Sequence, residues 1–392
     1  MFRTTNACLL TAALLVALSS CGRVSTTAKS DQPEQRAASV PPEHGPNSST
    51  YADDFEAMIE LLGDRQLQAR QNAQAKLIAM GMSIRPRLHA KIQDKTIDPE
   101  VRARLTLVLE SLITCMPWPF DCNEAVRRQD EEAKYLGISK ELEISIGNNV
   151  TMKLVLIPAG KFMMGSPIDE KGREGVEENR GEETLHEVTI SKPFYLGIYH
   201  VTQEQYELVM GKNPSRFKGK SNPVEMVSWD DATEFCKSLS GKIGRAVGLP
   251  TEAQWEFACR AGTSTPFNTG NTISTEQANY DGSKVYGDGK EGVNRDKPTP
   301  VGTFKPNAWG LYDMHGNISQ WCSDWYSASY YADSPKIDPA GPPVTSRRTR
   351  VLRGGSWSYD PKYCRSAGRW ADAPDYHSGY GVGFRVVVTI DK

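Results

Sequence analysis

The hydrophobic rhythm of the chain changes four times. Residues 7–18 are almost entirely apolar. Residues 22–50 hold almost no large apolar side chain and are rich in Ser, Thr, Pro, Gln and Ala. Over 53–114 the apolar positions recur at helical spacing, with Phe55, Met58, Ile59 and Leu62 on one stripe. Asp64 offers a cap for a second helix over 66–80, which Gly81 stops, and a third short helix fits 84–92. Asp98-Pro99-Glu100 is a strong helix start, and Val101, Leu105, Val108, Leu109 and Leu112 form the apolar face that follows. From Glu141 the period drops to two. Residues 141–146 alternate, Gly147-Asn148-Asn149 turn, and 152–157 alternate again, which predicts a hairpin. Three further helices are expected. One spans 202–210, with Thr202 as cap and Gln205 three residues on. Another spans 229–239, with Asp230 or Asp231 near its start. The third runs from Pro250-Thr251-Glu252 to Gly262, with Thr251 as cap and Glu252 at the positive helix end. Residues 268–300 are dominated by Gly, Asn, Asp, Thr and Ser; so long a loop in a compact domain is functional or ion-supported. The last strands are expected at 349–353 and 382–390. The pattern is α+β, with few long elements.

The ends divide the chain further. The 7–18 run is shorter than the ~20 residues a membrane span needs. Arg3 precedes it and Leu18-Ser19-Ser20-Cys21, a bacterial lipobox pattern, follows. The expectation is a signal peptide over 1–20, cleaved before Cys21, and a lipid on the Cys21 thiol that anchors the protein without spanning the bilayer. An ordinary signal peptide with an incidental cysteine is the alternative. Residues 21–50 read as a flexible tether. Residues 51–115 read as a helical module whose two helix pairs weakly resemble a HEAT-like repeat, serving either for packing or as a partner-binding groove. Residues 116–140 read as a linker and 141–392 as a second domain. The expected location is the bacterial cell envelope, lipid-anchored, on the periplasmic or surface-facing side.

Composition excludes several functions. The formal charge is −2 and Lys and Arg are scattered, so no nucleic-acid partner is expected. Eight cysteines are present. Cys8 leaves with the signal and Cys21 carries lipid, leaving Cys115, Cys122, Cys236, Cys259, Cys322 and Cys364. An exported setting favours disulfides, and the lack of a CxxC pair argues against zinc. Cys115 and Cys122 flank a short Pro-rich loop and are either bonded or free. His89, His186, His200, His315 and His377 show no ligand spacing. No nucleophile elbow or phosphate-binding loop occurs.

A series of aromatic-and-glycine motifs fills the second domain. They are Leu156-Ile157-Pro158-Ala159-Gly160, Val227-Ser228-Trp229, Leu249-Pro250-Thr251-Glu252-Ala253-Gln254-Trp255-Glu256, Gly310-Leu311-Tyr312-Asp313-Met314-His315-Gly316-Asn317, Gln320-Trp321-Cys322-Ser323-Asp324-Trp325, Arg353-Gly354-Gly355-Ser356-Trp357 and Gly383-Phe384-Arg385. In this order and spacing they resemble the sulfatase-modifying-factor family, whose founding activity is formylglycine generation. The resemblance implies a formylglycine-generating-enzyme-like fold: one compact domain with little regular structure, distantly like C-type lectins.

It also implies a chemistry. The active oxidases of the family carry two cysteines just after the Gly-Gly-Ser-aromatic motif, which bind Cu(I) through soft sulfur and engage the substrate cysteine. Here the first position is Tyr359 and, by count, the second is Cys364. The context Cys364-Arg365-Ser366-Ala367-Gly368-Arg369 instead resembles the family's structural cysteine, whose partner corresponds to Cys259. The resemblance therefore implies a Cys259–Cys364 disulfide, and copper is not expected. The family's other disulfide would join Cys236 to a position that is Val386 here; whether Cys236 meets Cys322 stays open. The family's calcium sites imply Asp313, Gly316, Ile318 and Gln320 as one donor set, and Asn279 with Tyr280 as part of another. The other reading is that Asp313 and Asn317 organise a tight turn. Most tryptophans lie in framework motifs, whereas Trp370 and Tyr376 suit a ligand surface. Arg365 and Arg369 either line a cleft or pair with acids. The function expected is an envelope lipoprotein whose domain binds a peptide, protein or glycan. The alternative is a formylglycine-generating or related oxidase acting on protein cysteine.

Overall fold

The computed structural model describes residues 48–114, 116–173, 183–344, 348–377 and 381–390. The Cys21 lipidation site, the signal peptide, most of the tether and Cys115 lie outside the described residues. Among the described residues no helix is long and apolar enough to cross a membrane.

The helical period yields α1 (Ser48–Leu62), α2 (Leu67–Ala79), α3 (Arg85–Gln93) and α4 (Pro99–Thr114). Phe55, Leu62, Leu77, Leu88, Leu105 and Val108 close over a core of their own. Asp98 caps α4 as expected, its Oδ1 accepting from the Glu100 backbone N–H at 2.8 Å. Asp64 acts one step earlier than expected. It accepts from the N–H of Gln66, the residue that precedes α2.

The stretch expected to be a linker carries a further helix, α5 (Cys122–Leu136). Asp121 caps it, and Gly137, at φ 62°, ends it in the left-handed region. Its buried face consists of Ala125, Arg128, Gln129, Glu132 and Ala133. Ala125 joins one core of the following domain and Ala133 the other. Gln129 donates from Nε2 to the Leu156 carbonyl at 2.7 Å, which seats the helix on the sheet below.

The period-two segments form β1 (Glu141–Gly147) and β2 (Val150–Ile157). Ile144 faces Met152 and Leu142 faces Leu154. Asn148 and Asn149 sit at φ 50° and 60°, the paired left-handed geometry that a two-residue hairpin of right-handed twist requires. There follow β3 (Gly160–Met164), β4 (His186–Ile190), β5 (Phe194–Gly197), α6 (Gln203–Met210), α7 (Trp229–Ile243), β6 (Val247–Gly248) and α8 (Glu252–Arg260). The remainder is β7 (Ser319–Trp325), α9 (Tyr330–Asp333), β8 (Arg350–Arg353), β9 (Arg369–Asp372), β10 (Val382–Gly383) and β11 (Val387–Thr389).

One sheet has the order β1-β2-β5-β11-β6 and is antiparallel throughout. A second has the order β10-β7-β8-β9, and β3 pairs with β4. Trp255, Trp309 and Trp321 are fully buried, so these motif tryptophans are framework. The Gly- and Asn-rich stretch 268–300 is held by its own small cluster of Phe267, Ile273, Ala278, Tyr280, Tyr286 and Cys364. Asn317 adds a polar clasp, accepting from the Asn279 side chain and the Thr299 N–H while donating its own N–H to the Asn279 carbonyl at 2.7 Å. The whole is a mixed helix-and-sheet domain preceded by a helical module.

Candidate functional site

The segment after β8 decides the chemistry. Gly355 lies at φ 68°, and a Cβ there would fall 2.6 Å from the Cys364 sulfur, so the turn admits only glycine. Trp357 leaves this turn and packs edge-on against Phe217 at 5.6 Å. A short helical turn, Pro361–Cys364, follows, capped by Asp360. It sets Tyr359 and Tyr363 beside Trp370 of β9, with ring centroids 6.0–6.5 Å apart. Trp370 is 46% exposed and Tyr376 is 37% exposed. These side chains form an aromatic ledge. Burial holds the Tyr359 phenol above its ordinary pKa, with Tyr376 and Asp372 adding to the effect. The Asp372 carboxyl beside it is also raised by burial.

Cys364 is fully buried beneath the ledge, and burial pushes its thiol well up. Tyr359 therefore offers a neutral phenol and Cys364 a protonated thiol out of reach of solvent. Two thiolates for Cu(I) are not available at this place, and the residues present do not fit the metal.

The expected Cys259–Cys364 disulfide is not formed; both residues are free thiols, as are Cys122, Cys236 and Cys322. His315 contacts both residues. Its ring packs against Cys259, with Nε2 3.8 Å from the sulfur, and its Nδ1–H donates to the Cys364 carbonyl at 2.7 Å. Nε2 accepts from the Asn268 N–H at 3.0 Å, so the imidazole is held neutral in one tautomer. Cys259 packs further against the Ser366 hydroxyl, 3.7 Å away. Burial pushes the Cys259 thiol up to about 12 and the His315 pKa down to about 4.

Arg365 and Arg369 pair with acids and do not line a cleft. Arg365 meets Glu183 through both terminal nitrogens, at 2.7 and 2.8 Å, and Glu170 at 2.6 Å. Arg369 forms a fork with Glu252 at 2.7 and 3.0 Å, beneath the Tyr331 ring. Both are buried, and the short-range carboxylates satisfy charges that burial would otherwise make costly. No single segment of sequence shows these partners.

Among the residues expected to hold calcium, some oxygens have hydrogen-bond partners and others do not. Gln320 Oε1 accepts from Trp255 Nε1 at 2.8 Å and from Arg385 Nε at 2.6 Å. The Ile318 carbonyl accepts from His200 Nε2. Gly316 lies at φ 74°, where a Cβ would come 2.2 Å from the Asn279 carbonyl oxygen. That backbone oxygen accepts from Asn317, whereas the side-chain Oδ1 of Asn279 is buried without a partner. Asp313 Oδ2 accepts from the Gly302 N–H at 2.9 Å, its Oδ1 has no partner, and burial raises its pKa to about 6. The buried Arg385 guanidinium also acts on the Asp313 carboxyl. Among the described residues no three of His, Cys, Asp and Glu converge as a metal site.

Comparison with known proteins follows this geometry. A model of the sulfatase-modifying factor enzyme 1-like domain matches residues 145–390. The chain belongs to that family. The formylglycine-generating enzyme of Streptomyces coelicolor is 38% identical over 184 residues, 44% of this chain and 54% of the enzyme. The chain spans about half the length of the formylglycine-generating enzymes it matches. Chaperone protein LppX of Paenibacillus barcinonensis is 32% identical over 213 residues, 43% of this chain and 71% of the relative. Among solved structures, Treponema denticola variable protein 1 aligns with a TM-score of 0.55 at 27% identity, over 64% of this chain and all of that one.

Proposed function

We propose that the protein is a bacterial envelope lipoprotein, held by a lipid on Cys21, whose family domain binds a peptide, protein or glycan on the aromatic ledge without oxidising it. The observation that carries the reading is the pair of positions 359 and 364: a tyrosine, and a thiol sealed in the core with a raised pKa. Exposed Trp370 and Tyr376, backed by Tyr359 and Tyr363, offer apolar faces for stacking. The expected distant likeness to C-type lectins and the HEAT-like character of α1 to α4 belong to the same reading of a module built for partners. A relative named a chaperone, matched over most of its length, supports it.

The alternative is an oxidase, as the relatives named formylglycine-generating enzymes suggest. The test is aerobic incubation of the full chain with a Cys-x-Pro-x-Arg peptide and copper, followed by mass spectrometry. The expected outcome is unchanged peptide. Copper-dependent formylglycine, lost in Cys364→Ser, would establish the oxidase instead.

A further inference from the structure

The principal sheet leaves one long edge open. β1 is its terminal strand and has seven residues, whereas β6 at the opposite edge has two. The ladder fixes which backbone groups point outward. The Leu156 N–H donates to the Lys140 carbonyl, and antiparallel pairs alternate, so Leu142 and Ile144 exchange their bonds with β2. Glu141, Glu143 and Ser145 turn their backbone groups the other way. The Glu141 N–H donates to the Ser139 hydroxyl at 3.3 Å. The Glu141 carbonyl and both groups of Glu143 and Ser145 have no protein partner among the described residues. Such a row of donors and acceptors is a template for one more strand.

The side chains select among strands. Glu141, Glu143 and Ser145 are exposed, while Ile144 and Ile146 between and beyond them are buried. Lys153 stands across from Glu143 on β2 and forms no ion pair with it. A strand added outside β1 sets one residue directly beside each carboxylate, and opposite charge stabilises such a cross-strand pair. A second copy of β1, paired antiparallel about Ile144, would instead set the two Glu143 side chains diagonal to each other, and like charge opposes that. Carboxylates on an edge also turn away purely apolar strands. We propose that β1 is a docking edge for an extended segment of a partner protein that carries Lys or Arg at alternate positions, the basic residues bonding the outward backbone groups of β1 and pairing with Glu141 and Glu143. The edge shares no residue with the aromatic ledge, so the two sites stand or fall separately.

The test is NMR of backbone N–H groups in the isotope-labelled full chain, titrated with acetyl-Thr-Arg-Val-Arg-Val-Lys-Thr-amide. The Glu143 and Ser145 signals are expected to shift saturably and to exchange with solvent more slowly. Methylating the backbone nitrogens of the three basic residues should weaken binding at least about tenfold, because those N–H groups face β1. Methylating those of the two valines, which face away, should leave it within about threefold. Glu143→Pro removes one outward N–H and one carboxylate but no bond to β2, so the variant should fold and lose the shift at Ser145. The acidic counterpart acetyl-Thr-Glu-Val-Glu-Val-Glu-Thr-amide should not bind. Silence of Glu143 and Ser145, equal effects of the two methylation patterns, undiminished binding by Glu143→Pro, or equal binding of the acidic peptide would overturn the proposal. Dimerisation of the full chain that protects the same N–H groups, and that the basic peptide does not reverse, would replace the partner with a second copy.

Discussion

His315 ties the two family cysteines into the core without a covalent bond. One ring nitrogen donates to the Cys364 carbonyl, the other accepts from Asn268, and the ring face leans on Cys259 and Phe267. Burial lowers its pKa to about 4, against about 6.5 in an unfolded chain. Below about pH 4 the ring is charged in both states, and above about 6.5 it is neutral in both. Between these values the unfolded chain holds a proton that the folded protein refuses, so this residue's contribution to stability rises with pH. The advantage of the wild-type protein over His315→Gln is therefore expected to grow from about pH 4 to about 6.5, measured by urea unfolding at several pH values. A difference that shrinks across this window would contradict the buried, neutral imidazole. Asp324, whose pKa burial raises to about 7, pulls the other way. Its native carboxyl keeps a proton that the unfolded chain releases, so its contribution falls as pH rises from about 4 to about 7.

The helices of the domain are delimited by reciprocal caps. Thr202 with Gln205, Ser228 with Asp231, and Thr251 with Gln254 each exchange side-chain bonds with backbone N–H groups. The last starts α8, which carries Trp255, Glu256, Cys259 and Arg260 into the core. Thr251→Ala is expected to lower stability by about 1 kcal/mol in urea unfolding, with Thr251→Ser retaining most of it. Equal stability of wild type and the alanine variant would show that the cap is idle. These starts are legible in sequence because a cap and its partner lie three residues apart. Even so, the reading of α7 named Asp230 or Asp231 and missed Ser228. The hairpin of β1 and β2 is legible for the same local reason. Helix α5 is not. Its buried face is Ala, Arg, Gln, Glu and Ala, which has no apolar period, and polar groups can be buried there only because distant residues satisfy them. The ledge was half legible. Trp370 and Tyr376 stand outside the framework motifs, but Phe217 reaches Trp357 from a remote segment. For Arg365 and Arg369 the sequence leaves a cleft and an acid partner equally open, and the partners Glu170, Glu183 and Glu252 come from elsewhere in the chain. Motif context implied the pairing of Cys259 with Cys364, whereas in the structure both are free thiols and His315, from a third segment, contacts both residues.

At the scale of the molecule, the principal sheet is completed from its far end. β11, within the last residues of the chain, lies between β5 and β6 and is the sheet neighbour of both. Val386 and Val388, just before and within it, are buried in the core that also holds Tyr206, Phe235 and Trp321. A chain lacking residues 382–392 is expected to lose cooperative thermal unfolding and to be degraded rapidly by trypsin while α1 to α4, with their separate core, retain helical circular dichroism. Persistence of a cooperative transition of the full domain would show that the sheet closes without its central strand. The pairing of early with late residues also makes the contacts that complete the sheet the longest-range ones, which folding reaches slowly. Until β11 is in place, β5 and β6 have no common neighbour, so this one short strand works as a clasp that shuts the sheet only when a distant part of the sequence arrives.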